Sequence, residues 1–493
     1  MKKTKVFLKS LQNDHQNESF TQYKALNREL AEEVEKNIRE ILEALGGANL
    51  LKSSKDVYIK PNGIDAKPYA FTRVEVLASI IKYFKCAGAR NIYLFENSTQ
   101  SNYTRLVFEA TGYHKICKKY GVHPIYLDEE KTKQFNFKEP ASQNMDMKKK
   151  YRSNQDKRNQ SNEKSETNEI EKNQYDLKTF AMSKTIVDKL IREKDANLYI
   201  NVPKLKTHSM GIVTLGIKNQ WAFPIHLHRG YDHNYNLHSK LTEVLEIIEP
   251  DVTIIDGIEG TIHGHYPATS LADKQVVPFK VLIGGKNVVA TDIVGARVFG
   301  IKPEEVPHIK IAIERGLSHG VTSLDDIDVI GDLSQFQKKY PYTLIQEFHP
   351  DVNIVKGSKL LCPEGCKNNP LTLLQILYFD YNAKGGWDLV IGKGHDTEII
   401  DKLHGPVLIA GHCAIEEVGE RLINRLGRSR VYLSGYCNDL AATASAMLRL
   451  SKVNVLKLVN VNPLRAIWIL MNVKLHKSHA KAPSLFCNLF KMV

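Results

Sequence analysis

Apolar residues along the first two thirds of the chain recur with two different periods, which predict alternating strands and helices. Short apolar runs predict buried strands at residues 5–11, 57–59, 91–95, 123–127, 196–200, 252–255, 281–283 and 327–330. Longer stretches with apolar positions at helical spacing predict helices at residues 25–45, 72–86, 106–120, 185–192, 237–248 and 287–299. This alternation predicts an α/β fold whose large domain holds a mostly parallel sheet covered on both faces.

A second, shorter series of alternating strand and helix patterns follows residue 360. Apolar runs at residues 389–391, 407–409 and 431–433 each end in a glycine and polar residues. We therefore predict a large domain at residues 1–130 and 175–332, a connection at 333–360, and a smaller Rossmann-like C-terminal α/β domain at 361–462. Residues 463–493 form a basic, apolar tail beyond that domain.

Residues 131–174 interrupt the alternating pattern. Between residues 144 and 174 the apolar side chains are limited to Met145, Met147, Tyr151 and Ile170, among many Asn, Gln, Lys and Glu residues. Such a segment cannot bury enough apolar area to offset the entropy lost on ordering. The composition therefore predicts a disordered polar insertion within the large domain.

Composition places the protein in the cytoplasm and argues against a nucleic-acid partner. The chain of 493 residues carries seven cysteines, no leader-like segment and no run of apolar residues that approaches the ~20 of a membrane span. Its net charge is +13, yet no acidic residue follows Asp439, and that last segment carries eight Lys and Arg residues. Because the excess is a C-terminal feature, DNA binding by the whole protein is not expected.

The C-terminal tail permits two interpretations. Residues 464–475 are mostly apolar, with Lys474 near their end, and Lys477 and Lys481 follow. A helix with Trp468 and aliphatic residues beside lysines is typical of a peripheral membrane anchor. The alternative is a helix that packs on the smaller domain and covers its core.

Residues 201–219 carry the densest group of candidate functional side chains. Lys204, Lys206, His208 and Lys218 follow the apolar run at 196–200, and the predicted strand ends at Pro203 because proline cannot donate to a sheet ladder. In open α/β sheets, ligands bind at the carboxyl ends of the strands. The residues therefore predict a site for a small anionic ligand, with a solvated basic loop as the alternative.

Several short motifs, in the same order along the chain, resemble the domain-of-unknown-function 362 family. The central one matches P-K-x-K-T-H followed by T-L-x-x-K-N. The others are I-K-P-N at 59–62, A-G-A at 87–89, T-G-Y at 111–113, D-G-I at 256–258 and A-T-D at 290–292. The resemblance covers residues 55–320. Many members of that family carry a ferredoxin-like cysteine run, and this chain lacks its C-x-x-C-x-x-C spacing.

Histidines cluster in the same region and carry a second resemblance. Seven of the chain's eighteen histidines lie between His208 and His265, and neutral imidazole both binds metals and transfers protons. The spacing of His208, Lys218 and His233 is similar to that of the histidine, cofactor-bearing lysine and nickel ligand of nickel-pincer lactate racemases. That resemblance implies a catalytic His208 and Lys218 and a metal ligand at His233.

Four cysteines mark the smaller domain. Cys362 and Cys366 are spaced C-x-x-x-C, whereas Cys413 and Cys437 each follow a predicted strand. Four thiolates suit an iron–sulfur cluster or a transition metal such as zinc. The alternative is ordinary packing, because buried free cysteine is common.

Together these features predict an enzyme that binds a small anionic substrate or cofactor, with an iron–sulfur cluster or metal in the C-terminal domain. One alternative is a non-catalytic iron–sulfur electron carrier or binding protein, and another is an RNA-associated protein that uses the basic tail. The predicted catalytic residues are His208, Lys206 and Lys218, and the predicted substrate-binding residues are Lys60, Asn62, Lys204, Thr207, Asn219 and Asp256. The predicted metal ligands are Cys362, Cys366, Cys413, Cys437 and His233. The sequence contains no phosphate-binding G-x-x-x-x-G-K-[ST] run, so it gives no motif for a nucleotide.

Overall fold

The computed structural model describes residues 3–12, 19–51, 55–99, 102–136, 179–225, 237–435, 439–454, 458 and 461–480. The predicted disordered segment at 144–174, His226, His228, His233 and Cys437 lie outside these residues. The predictions made for them stay predictions.

A large, mostly parallel sheet forms the first part of the molecule and confirms the predicted α/β class. Its strands run in the spatial order β13-β1-β12-β10-β7-β2-β3-β4. Outside this order, β8 and β11 pair with β10, and β9 pairs with β8. Only β12 runs antiparallel to its neighbours along this path, pairing with β1 and β10. The strands are β1 (Thr4–Ser10), β2 (Asp56–Pro61), β3 (Ile92–Glu96), β4 (His123–Tyr126), β7 (Asn197–Val202), β8 (Lys204–His208), β9 (Ile212–Thr214), β10 (Val252–Thr261), β11 (Val276–Val277), β12 (Val281–Gly285) and β13 (Ile327–Ile330). A separate hairpin pairs β5 (Thr132–Asn136) with β6 (Thr179–Ser183).

Helices cover both faces of this sheet, because its central strands are apolar on both sides. In β2, Val57 and Ile59 pack into one apolar cluster, whereas Tyr58 belongs to the cluster on the opposite face. The helices of this part are α1 (Arg28–Ala44), α2 (Val74–Cys86), α3 (Thr104–Thr111), α4 (Tyr113–Tyr120), α5 (Gly216–Asn219), α6 (Leu237–Ile247), α7 (Ala272–Gln275), α8 (Val288–Val298) and α9 (Pro307–Glu314). Gly112, with a left-handed φ of 84°, separates α3 from α4.

The C-terminal part contains a four-stranded parallel sheet with helices between its strands. Its strands are β14 (Val352–Lys356), β15 (Trp387–Ile391), β16 (Val407–Ala410) and β17 (Val431–Leu433), paired in that order. Its helices are α10 (Asn368–Tyr381), α11 (Thr397–Asp401), α12 (His412–Leu426) and α13 (Leu440–Leu450). The strand order has no reversal among these strands, and a reversal defines the switch point of a Rossmann sheet. The predicted Rossmann-like character is therefore not confirmed.

Helix α10 of the C-terminal part contacts the large domain close to the predicted site. Lys67 forms an ion pair with Asp380, and the backbone N–H of Thr269 donates to Asp380 Oδ1 at 2.7 Å. The side-chain amide of Asn368 donates to the backbone oxygen of Ser209 at 2.7 Å, directly after His208. Helix α10 thus covers the end of the strand that carries the central motif.

The apolar tail forms a helix, α14 (Pro463–Leu475). Its buried residues Ile469 and Val473 share an apolar cluster with Leu106 of α3. The packing interpretation had placed this helix on the smaller domain, which is wrong, because the contact is with α3. Within the described residues, none of the helices combines the length and the apolar character needed to span a bilayer.

The hairpin of β5 and β6 gives a direct test of the predicted insertion. Asn136 and Thr179 are paired at its open end, so a two-residue Asn-Gly turn can join them in place of residues 137–178. A shorter loop costs less closure entropy, so we expect the melting temperature of this variant to stay within about 3 °C of the parent. Differential scanning calorimetry measures it, and a fall beyond about 5 °C would contradict the predicted absence of packing.

Candidate functional site

The central motif is a buried strand, and the solvated-loop alternative is wrong. All five residues of β8 are buried, and the strand pairs in parallel with β10 and antiparallel with β9. Side chains alternate along a strand, so Lys204, Lys206 and His208 share one face while Leu205 packs into the apolar core behind them. The spacing K-x-K-x-H therefore directs three basic side chains towards one side of the sheet.

Lys60 at the end of β2 is neutralised by an internal carboxylate. Its Nζ lies 2.9 Å from Oε1 and 3.0 Å from Oε2 of Glu96 at the end of β3, and both side chains are fully buried. Glu96 also accepts hydrogen bonds from the backbone N–H groups of Gly63 at 2.7 Å and Asn97 at 2.8 Å. A buried ion pair of this kind is tolerated because the remaining oxygen lone pairs are also satisfied.

Lys204 belongs to a second buried ionic group. Its Nζ lies 3.0 Å from Asp256 Oδ1 and 3.3 Å from Glu259 Oε2, both on β10. Glu259 is also held by the guanidinium of Arg73, through Nε at 2.8 Å and Nη2 at 2.5 Å. The backbone N–H of Arg73 donates to Asp256 Oδ2 at 2.8 Å. Two cations and two carboxylates therefore balance one another in the interior.

Lys206 is held differently, by neutral oxygens. Its Nζ donates at 2.7 Å to Asn62 Oδ1 and at 2.7 Å to the backbone oxygen of Ala70, and the described residues place no carboxylate in an ion pair with it. Burial, and next the positive charge of Lys218, hold the pKa of Lys206 well below its usual range. The ring of Tyr266 lies 5.8 Å from Nζ.

A chain of amides connects these lysines across three strands. Asn62 Nδ2 donates to Asn219 Oδ1 at 2.7 Å, and Asn219 Nδ2 donates to Asn201 Oδ1 at 2.8 Å. Lys60 Nζ also reaches Asn219 Oδ1, at 3.4 Å. The structure therefore brings Lys60, Asn62, Lys206 and Asn219 together. Lys204 lies on the same face of β8 as Lys206, and its partner Asp256 is on β10. We call these six residues the lysine network.

His208 stands at the end of the same face. Its Nδ1 accepts hydrogen bonds from the backbone N–H groups of Met210 and Gly211, both at 3.1 Å, so a neutral His208 carries its proton on Nε2. Its ring stacks on His265, with centroids 3.8 Å apart and planes inclined by 3°. Thr207 lies on the opposite face, where its hydroxyl accepts from the backbone N–H of Gly264 at 3.1 Å.

Lys218 and Asn219 are positioned by the short helix α5 and its buried anchor, Asp292. The Asp292 carboxylate accepts from the backbone N–H groups of Gly216 at 2.7 Å and Ile217 at 2.8 Å. Burial raises the pKa of Asp292 to about 7, although the two backbone donors act in the opposite direction. A side chain at Gly216 would collide with Val288, so glycine is required where α5 meets α8.

The described cysteines of the predicted cluster lie around the carboxyl end of β16. Cys366 Sγ occupies the space that a side chain at Gly411 would need, and Cys413 follows two residues later. Burial, with further effects from Glu364 and Cys413, raises the pKa of the Cys362 thiol to about 11. Within the described ranges, no three His, Cys, Asp or Glu side chains are arranged to hold a metal. With Cys437 and His233 outside those ranges, a cluster or metal stays a prediction.

Sequence reasoning missed Arg73, Glu259, Asn201 and Tyr266. The predicted strand at 252–255 stopped before Glu259, whereas β10 continues to Thr261. Two acidic residues within the D-G-I-E-G segment were the available signal, because they separate residues that are otherwise apolar or glycine. Arg73 offered no local signal, since its partner lies 186 residues away.

Comparison with known proteins gives a match to a family model but no activity. The model of the family described as "Domain of unknown function (DUF362)" matches residues 57–155 and 159–297. A thylakoid-associated protein of Synechocystis sp. is 29% identical over 136 residues, which are 25% of this chain and 39% of that protein. A structural-genomics crystal structure of a Thermotoga maritima protein aligns with a TM-score of 0.33 and 10% identity, over 84% of this chain and 81% of the other, which is too distant to support an argument. These matches do not show the similarity to lactate racemases.

Removing the Lys60 ammonium should destabilise the protein strongly, because it leaves the Glu96 carboxylate buried without its cation. We expect K60M to cost about 3–5 kcal/mol of unfolding free energy, and K60M/E96Q to recover part of that loss. Chemical denaturation of both variants measures the coupling. The exposed pair of Arg28 and Glu32 provides the control, since R28M should change nothing measurable. Equal losses in the single and double variants would contradict this pairing.

Asp292 should make stability depend on pH between about 4 and 7. Its folded-state pKa is about 7 against an ordinary 3.8, so the folded state holds a proton that the unfolded state releases in this range. Stability contributed by this group is therefore lost as pH rises through the window. We expect the unfolding free energy of the parent minus that of D292N to fall by on the order of 4 kcal/mol between pH 4 and pH 7. A difference that is flat or rises with pH would contradict it.

Proposed function

We propose that this chain, which matches the model of the domain-of-unknown-function 362 family over residues 57–155 and 159–297, is an enzyme. In this proposal a small anion binds between Lys206 and Lys218, and the Lys206 amine with the His208 imidazole carries out proton transfer on it. The other members of the lysine network hold these groups in place.

The contrast among three lysines carries the proposal. Lys60 and Lys204 each lie in a buried ion pair with a carboxylate. Lys206 differs, because it donates to two neutral oxygens and its neighbours in the strand, Leu205 and Thr207, are uncharged. A neutral lysine amine has two N–H donors and one lone pair. Two acceptors therefore satisfy both donors and leave the lone pair available as a base.

The position of Lys218 supports anion binding beside that amine. The charge of Lys218 lowers the pKa of Lys206, so the two groups are close enough to repel when both are protonated. A bound anion relieves that repulsion and favours the protonated form of Lys206. Binding of the anion would therefore be coupled to proton uptake by Lys206, which is the property expected of an amine that takes up a proton and then donates it as a general acid.

Burial of the whole group supports catalysis more than structural stabilisation. Desolvating several lysines is costly, and buried ion pairs seldom repay that cost in stability. Perturbed titratable groups of this kind concentrate at functional sites, where a low dielectric strengthens electrostatic interactions. Helix α10 contributes to this exclusion of water through the hydrogen bond of Asn368 to Ser209.

The test is the titration of Lys206 in the intact protein. Lysine labelled with ¹³C at Cε gives one resonance per residue, and K206M assigns the resonance of interest. We expect it to titrate well below the ordinary lysine pKa and to shift upwards when acetate or inorganic phosphate is added. K310M, which removes an exposed lysine, is the matched control and should leave that resonance unchanged.

Calorimetric titration with the same two anions provides an independent measurement. At pH values above the pKa of the free Lys206 amine, anion binding should be accompanied by proton uptake. In that range the affinity for the anion should fall as the pH rises. K206M should abolish the proton uptake, while K310M should retain it. A Lys206 that titrates at its ordinary value, or anion binding without any uptake, would overturn the proposal.

A further inference from the structure

Helix α14 presents a continuous apolar face to solvent. Seven large apolar side chains are exposed in the described part of the chain, and five of them belong to this one helix. They are Leu464 (79% exposed), Ile467 (56%), Trp468 (49%), Met471 (66%) and Leu475 (76%). Isolated exposed apolar residues are ordinary in proteins, whereas a contiguous group marks an interaction surface.

These five residues lie on one side of the helix, opposite the side that packs on the protein. At about 100° per residue they occupy an arc of about 100°, while Ile469 and Val473 lie on the far side and are buried. The exposed face is therefore a second apolar stripe, which we call the outer face of α14. Packing against α3 leaves it uncovered.

Polar contacts at both ends of α14 fix the orientation of the helix, and with it the side on which the outer face lies. Arg465 pairs with Glu109 of α3 at 3.2 Å near the start of the helix. Beyond its end, the Ser478 hydroxyl donates to Asp128 Oδ2 at 2.6 Å, and the backbone N–H of His479 donates to the backbone oxygen of Asp128 at 2.8 Å. Because the helix is attached at each end, the outer face is presented by the folded protein.

The charges around the outer face are positive. Lys474 lies at the edge of the apolar arc by helical position, and both Lys474 and Lys477 are exposed. The chain has no acidic residue after Asp439, so α14 and its flanks contribute only positive charge. Among the acidic groups close to the helix, Glu109 and Asp128 are engaged in the contacts described above, and Glu129 forms an ion pair with Arg105.

We propose that the outer face of α14 docks the protein on an anionic lipid bilayer. Leu464, Met471 and Leu475 would enter the region between headgroups and acyl chains, and Trp468 would lie at the interface that indole prefers. Lys474 and Lys477 would remain at the headgroups and attract anionic lipid. The helix would lie in the plane of the membrane surface without crossing it.

A bilayer fits this face better than a second copy of the chain. A stable protein interface uses roughly 20–30 residues on each side, whereas the outer face offers five side chains on one short helix. The positive charge around the face would also oppose an identical surface and would favour an anionic one. Self-association is therefore an alternative for the experiment to detect.

Vesicle flotation of the full-length protein tests the proposal. The vesicles contain phosphatidylcholine with about one-third phosphatidylglycerol, and vesicles of phosphatidylcholine alone serve as the comparison. We expect flotation with the anionic vesicles at low ionic strength and its loss as salt is added. L464S/W468S/M471S should reduce the partition coefficient at least about tenfold, and K474Q/K477Q should reduce it by about fivefold for each lysine removed.

Matched controls separate docking from general stickiness and from misfolding. I399S removes another exposed apolar side chain, on α11, and K310Q removes an exposed lysine on α9; neither should alter flotation. Because the altered side chains of α14 are exposed, the melting temperatures of its variants should match that of the parent.

Three results would overturn the proposal. The first is a parent protein that does not float with anionic vesicles at low salt. The second is flotation that L464S/W468S/M471S leaves unchanged. The third is a concentration-dependent dimer, seen by light scattering, that this variant abolishes while vesicles recover no protein, which would assign the face to a second copy.

Discussion

The burial of three lysines, Lys60 on β2 and Lys204 and Lys206 on β8, is the constraint around which this site is built. Charged lysines cannot be placed in a protein interior without compensation, because the desolvation of each costs several kcal/mol. Glu96 neutralises Lys60, and Asp256 with Glu259 neutralises Lys204. For Lys206, whose described hydrogen bonds go to neutral oxygens, a lowered pKa provides the relief that an ion pair provides elsewhere.

This constraint explains why several strand ends must meet accurately. Glu96 lies at the end of β3, Asp256 lies on β10, and Lys60 ends the strand between β3 and β7. A shift of one residue in any of these pairings would turn a cation or its carboxylate to the other face of the sheet. The parallel core of the fold and the charge balance of the site therefore depend on the same register.

The amino-acid sequence was sufficient for the main strands and for the region of the site. The apolar run 57–59 falls within β2, the run 196–200 overlaps β7 from Asn197 onwards, and Pro203 separates β7 from β8. The conformation of residues 204–208 was not predictable by the same rule. Alternating lysines have low strand propensity and no apolar partner pattern, so their burial follows only from carboxylates far away in the chain. The pairing of Arg73 with Glu259 likewise depends on tertiary structure that no local pattern records.

The contact between helix α10 and the residue after β8 closes one side of the site, which the large sheet alone would leave open. Asn368 at the start of α10 donates one hydrogen bond to the backbone oxygen of Ser209 and another, at 2.6 Å, to that of Pro363. One amide therefore connects the residue after His208 with the turn that lies between Cys362 and Cys366. A displacement of this turn would break a buried hydrogen bond at the edge of the lysine network, where an unsatisfied carbonyl is costly. The arrangement of the C-terminal sheet and the environment of His208 are thus energetically linked.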